Sequence, residues 1–122
     1  MEIPLSHYYL TADLMFASRV LALAEGLGHS IRMLGSAAAL FAAAEESGCR
    51  FVLIDLSLPG LNVAETVGRL KREYADARLV AYGPHVHEAL LKAAEHHGCN
   101  AVLSRGEFNQ QAAAMLREHL GN

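Results

Sequence analysis

The sequence predicts a doubly wound α/β domain in which a five-stranded parallel sheet carries helices on both faces. Three observations predict it. Short β-rich apolar runs alternate five times with longer amphipathic ones, and glycine, proline, aspartate or serine punctuates the boundaries. One run, Phe51-Val52-Leu53-Ile54, is continuously apolar rather than alternating, the mark of a strand buried on both faces of a parallel sheet. Strands separated by helices of about 10 to 15 residues pair in parallel through right-handed crossovers.

The first strand is expected over residues 7–11, after which Asp13 caps a helix whose Phe16, Val20, Leu23, Ala24 and Leu27 form one buried stripe, ended by Gly28. A second strand over 30–34 passes through Gly35 and Ser36 into an alanine-rich helix over 37–47, stopped by Gly48. The third strand, 51–54, has Asp55 at its carboxyl end. Asn62 caps the third helix, with Glu65 at capping-box spacing and Val63, Val67 and Leu70 as its apolar stripe. A fourth strand over 79–82 precedes a helix over 85–97 that buries Ala89, Leu90, Ala93 and Ala94 and stops at Gly98. Residues 101–103 form the fifth strand, and a helix over 108–120 turns Ala112, Met115 and Leu116 inward.

At 122 residues the chain has the length of one domain, spanning 1–122, and a chain of that size buries roughly two thirds of its unfolded surface. A hydrophobic fraction of 52% with a net charge of -3 excludes a disordered tail and gives no basic surface for nucleic acid. No apolar run approaches the roughly 20 residues that span a bilayer. The start, Met1-Glu2-Ile3-Pro4, lacks a basic segment followed by an apolar one. The expectation is a cytoplasmic protein that does not engage membranes. Cys49 and Cys99 are too few for a disulfide framework and read as plain, partly buried thiols.

Sheets of this kind place their sites beyond the carboxyl ends of the strands, where strand order reverses. Thr11, Ala12, Asp13, Asp55, Gly83 and Arg105 map to that edge. Other candidates fall away. His85 and His87 are two apart and His96 and His97 adjacent, so neither pair has the i, i+4 spacing of a helical metal site. Gly26-Leu27-Gly28 ends a helix instead of joining a strand to one, so it is no phosphate-cradling loop. Lys71-Arg72-Glu73 is a solvated charge run. Ser57 has no identifiable histidine and acid partners, which argues against a hydrolase and leaves no enzyme reading.

The run Phe51-Val52-Leu53-Ile54-Asp55-Leu56-Ser57-Leu58-Pro59-Gly60 resembles the strand-three signature of response-regulator receiver domains of two-component signalling and phosphorelay systems, and the helix and glycine spacing extends the likeness over nearly the whole chain. The resemblance implies a flavodoxin-like fold with strand order 2-1-3-4-5. It puts Asp55 in the phosphoacceptor position, where the family's aspartate attacks a phosphoryl group donated by a histidine kinase while magnesium neutralises phosphate charge. The bland reading of Asp55 is a turn residue bonded near Pro59 and Gly60.

The supporting positions depart from the family pattern. Thr11 and Ala12 stand where the resemblance implies the magnesium-binding acid pair, and Asp13 comes one residue late, either as a helix cap or as a weak metal candidate beside Asp55. An ion held by Asp55, the Ser57 carbonyl and water alone binds weakly. Gly83 takes the place of the family's Ser or Thr, and the adjacent Tyr82 is expected to pack against the sheet. Arg105 replaces the family lysine and is followed by Gly106 in place of proline, either pairing with Asp55 or lying solvated on the rim.

This pattern implies a degenerate receiver, a pseudo-receiver acting by protein contact with no cofactor, magnesium entering only where Asp55 is phosphorylated. The implied partner is a histidine kinase or an output domain, with a possible-dimer surface on the fourth helix, fifth strand and fifth helix. The alternative is a working phosphoacceptor. A third reading is a small-molecule sensor using space vacated at Thr11, Ala12 and Gly83.

Overall fold

The computed structural model describes residues 6–120, so Met1–Leu5, on which the expectation about the chain's start falls, and Gly121 and Asn122 of the expected 1–122 domain lie outside the described residues. Five strands and five helices alternate: β1 (His7–Leu10), α1 (Leu14–Gly26), β2 (Arg32–Leu34), α2 (Ala37–Ser47), β3 (Phe51–Asp55), α3 (Val63–Glu73), β4 (Arg78–Gly83), α4 (Glu88–His96), β5 (Ala101–Ser104) and α5 (Arg105–Leu120). The strands form one parallel sheet in the order β2-β1-β3-β4-β5. Strand order reverses at β1 and β3, the predicted switch point.

Every residue of β3 is buried, as its unbroken apolar run requires. Alternation along the strands divides the interior in two. On one face Tyr8, Leu10, Val52, Ile54, Leu79 and Ala81 pack with Leu40, Val67, Leu70 and Ala94 from α2, α3 and α4. On the other, Tyr9, Phe51, Leu53, Val80 and Tyr82 pack with Val20 of α1 and with Phe108 and Leu116 of α5. Each fully buried large side chain contributes about 1.5 to 3 kcal/mol by leaving water.

Side chains cap three helix starts, two at the residues expected to do so, Asp13 and Asn62, and the third at Ser36, which was not expected as a cap. Asp13, Ser36 and Asn62 accept hydrogen bonds from the backbone N–H groups of Phe16, Ala39 and Glu65, each worth about 1 kcal/mol. Two starts differ from expectation. The helix expected from residue 85 begins at Glu88, because a turn precedes it in which the His87 N–H donates to the Pro84 carbonyl at 2.9 Å. No side chain caps α4, and Ala94 is its one fully buried residue among those described. The last helix starts at Arg105, not at 108, because Ser104 and Glu107 form a reciprocal capping box. The Ser104 N–H donates to the Glu107 carboxylate at 2.8 Å, and the Glu107 N–H to the Ser104 hydroxyl at 3.1 Å. The second strand is shorter than expected, beginning at Arg32. Among the described residues no helix is long and apolar enough to cross a membrane.

Candidate functional site

Asp55 ends β3 with only 4% of its surface exposed. Its carboxylate is held on both oxygens: Oδ2 accepts from the Thr11 hydroxyl at 2.6 Å, and Oδ1 from the Ser57 N–H at 2.9 Å. Thr11, fully buried just past β1, also accepts from the Asp13 N–H at 3.1 Å. The hydroxyl therefore relays between the buried aspartate and the first turn of α1.

Above this pair lies a shallow cleft of about 250 Å³ lined by Ala12, Asp13, Asp55, Ser57, Leu58, Pro59 and Arg105. Pro59 and Gly60 turn the chain away from it, Gly60 at a φ of 78° that a side chain rarely adopts. Asp13 works in two directions. Its Oδ1 accepts from the Phe16 N–H at 3.0 Å, capping α1, and its Oδ2 accepts from Arg105 Nη2 at 2.8 Å. The Phe16 N–H, then the Arg105 guanidinium, hold the Asp13 carboxyl below its ordinary range, and the hydrogen bond to Asp13 raises the Arg105 guanidinium above its own. The Arg105 guanidinium also lies over the Phe16 ring, 4.7 Å from its centre.

Two expectations are corrected here. Arg105 pairs with Asp13 and not with Asp55. As the first residue of α5 it meets the cap of the neighbouring α1 at the rim, where a half-exposed ion pair costs less desolvation than one with the buried Asp55. Gly83 offers no vacated space and does not line the cleft: a Cβ there would meet the Leu56 Cβ at 3.2 Å. Leu56 is itself buried, with its N–H bonded to the Tyr82 carbonyl at 2.9 Å.

Tyr82 packs as expected. Its ring stacks on Phe108 with centres 4.9 Å apart and 11° between planes, leans on Phe16, and its hydroxyl hydrogen-bonds that of Tyr9. Burial raises both phenols well above their ordinary range. This aromatic cluster beneath the cleft went unread in the sequence. Its signal was strand alternation, since Tyr9, Leu53, Val80 and Tyr82 fall on one face by register.

The carboxylates at the cleft do not fit magnesium as they stand. That ion demands near-octahedral oxygen ligation, whereas Asp13 is committed to a helix cap and an arginine and Asp55 to two donors. Among the described residues no three His, Cys, Asp or Glu side chains are grouped to hold a metal.

No protein-family profile matches the chain, and no curated protein does. Solved structures do. The receiver domain of NtrX from Brucella abortus superposes with a TM-score of 0.80 at 16% identity, covering 93% of this chain and 96% of that one. A putative response regulator from Chloroflexus aurantiacus gives 0.81 at 15% identity, covering 98% and 99%. The receiver domain of a Pseudomonas aeruginosa sensor histidine kinase, with magnesium coordinated in its active-site cleft, gives 0.77 at 14% identity over 94% and 96%. The chain has the flavodoxin-like fold of response-regulator receiver domains.

Proposed function

We propose that the chain is a degenerate receiver domain that signals by contact with a protein partner, without the magnesium-dependent phosphorylation of a standard receiver. The state of Asp55 carries this reading. A phosphoacceptor needs an accessible carboxylate beside a cation site, and Asp55 is buried with both oxygens engaged by Thr11 and Ser57. The positions of the acid pair hold Thr11 and Ala12, the hydroxyl position holds Gly83, and the basic position holds Arg105, which is tied to Asp13. The fold is retained while the parts for phosphoryl transfer are replaced by parts that fix one conformation. The partner we assign is a histidine kinase or an output domain, met through α4, β5 and α5, a surface that also serves a homodimer. This is non-enzymatic work, expected in the cytoplasm.

Beryllofluoride with magnesium mimics phosphorylation without chemistry, so amide NMR spectra with and without it test the reading. Spectra unchanged at millimolar beryllofluoride are expected. Shifts clustered around Asp55 would overturn it. The working-phosphoacceptor alternative draws on one observation, that Asp13 lines the same cleft as Asp55. Released from Arg105, it would become a second oxygen donor. Full signalling by Asp55→Ala in cells counts against that alternative, and loss of signalling favours it.

A further inference from the structure

At the amino ends of the strands, the sheet edge remote from Asp55, lies a second and larger cleft of about 440 Å³. Parallel pairing brings it together: His7 opens β1, Arg50 immediately precedes β3, and Arg78 opens β4, with His7 in register with Phe51 and Phe51 with Arg78. The last turn of α5 adds His119. It shares no lining residue with the cleft at Asp55.

The Arg78 guanidinium is held in place. Arg78 Nε and Nη2 lie 3.3 and 3.1 Å from Nδ1 of His119. Arginine has only donors, so Nδ1 accepts and the ring hydrogen sits on Nε2. His119 is buried, 7% exposed, so its ring is a fixed post that orients the guanidinium and leaves Nη1 without a hydrogen bond among the described residues. His7 is wedged edge-on between the rings of His29 and Phe51, with centres 5.7 and 6.3 Å away. Among the described residues, Arg50 and Arg78 have no carboxylate within ion-pair distance, and Asp76 is the one acid on the cleft wall. Two guanidiniums facing one concavity against a single acid focus positive potential into it. A guanidinium fork matches the oxygens of a phosphate group, and the volume falls in the range of small-molecule sites, roughly 300 to 1,000 Å³.

We propose that this cleft binds a phosphate-bearing small molecule, with Arg50 and Arg78 gripping the phosphate oxygens and His119 positioning Arg78. The likeness to receiver domains plays no part in this reading, which stands or falls independently of Asp55.

The test titrates inorganic phosphate, phenyl phosphate and benzoate into the labelled protein at constant ionic strength, following backbone amides and arginine Nε–H signals. Phenyl phosphate is expected to give saturable shifts at Arg50, Arg78 and His7, with benzoate weaker. Arg50→Ala and Arg78→Ala should each weaken binding about tenfold or more, the loss of a hydrogen-bonded charge. Arg50 is exposed and its backbone bonds survive the change, so that variant is expected to fold. His119→Leu should weaken binding and release the Arg78 Nε–H signal, a change that a purely structural role would not produce. Non-saturating shifts, benzoate binding as tightly as phenyl phosphate, or an affinity untouched by Arg50→Ala would each overturn the proposal.

Discussion

Thr11→Val replaces a hydroxyl by a methyl of almost equal volume, so it isolates the bond between Thr11 and Asp55 with no cavity term. The bond is 2.6 Å long, runs to a carboxylate, and is buried at both ends. A hydrogen bond to a charged group contributes about 1.5 to 3 kcal/mol, and losing the acceptor for the Asp13 N–H adds about 1 kcal/mol. The expected cost is therefore roughly 2.5 to 4 kcal/mol. Thr11→Ser, which keeps the hydroxyl, should cost less. The chain has no tryptophan, so urea unfolding followed by far-UV circular dichroism is the assay, applied to the parent protein, Thr11→Val, Asp55→Ala and the double variant. If Thr11 holds Asp55, the cycle yields a coupling of about 1.5 kcal/mol or more. Coupling below about 0.5 kcal/mol, the additivity expected of independent sites, would refute the account of Asp55 as a locked carboxylate.

Gly83→Ala drives a methyl against the Leu56 Cβ, which the backbone bond to Tyr82 holds in place. We expect a loss of about 1 kcal/mol; a raised urea midpoint would contradict the contact. Ala12→Asp places a carboxylate on the exposed lip of the cleft and should bring magnesium binding into the low millimolar range by amide titration, whereas a silent titration would make the Asp13–Arg105 pair the obstacle instead of the missing acid. His7 and His119 are both lowered from 6.5, chiefly by burial, with His29 and Arg50 acting further on His7 and Arg78 on His119. The unfolded chain then binds protons that the folded one resists, so stability is full above about pH 6.5 and falls on acidification through it. Urea midpoints at about pH 7.5 and 5.5 check the sign, and a midpoint that holds or rises in acid would reverse it.

All ten elements were legible in the sequence because each rested on a local cause: the unbroken run of β3, the caps at Asp13 and Asn62, and the stops at Gly48 and Gly98. Boundaries failed where a side chain outside the periodic pattern decided them. Ser104 and Glu107 carry capping-box spacing outside the apolar stripe, and they start α5 three residues ahead of the expected 108. The gathering of Thr11, Ala12, Asp13 and Asp55 at one edge follows from topology, which the strand and helix alternation already contained. The pairing of Arg105 does not. Which carboxylate a guanidinium reaches depends on the relative height of two helix starts and on desolvation, neither of which leaves a mark in one dimension. Nor could the sequence reveal that Leu56 occupies the space beside Gly83.

The uncapped start of α4 gives the proposed partner surface two edges of unequal stiffness. On one side α5 is riveted to its surroundings through its Ser104–Glu107 start, the Arg105–Asp13 pair, the Arg19–Asn109 bond and the stacked Phe108. On the other, α4 buries only Ala94 fully, packs Leu90, Leu91 and Ala93 partly buried against the core, and lacks a side-chain cap, so local opening there costs less, and its amides should exchange with deuterium ahead of those of α5. A partner laid across both would find a fixed rail and a pliant one. Its grip would be registered against α5, while α4 remoulds to its contour, so that related partners of different shape share one anchor.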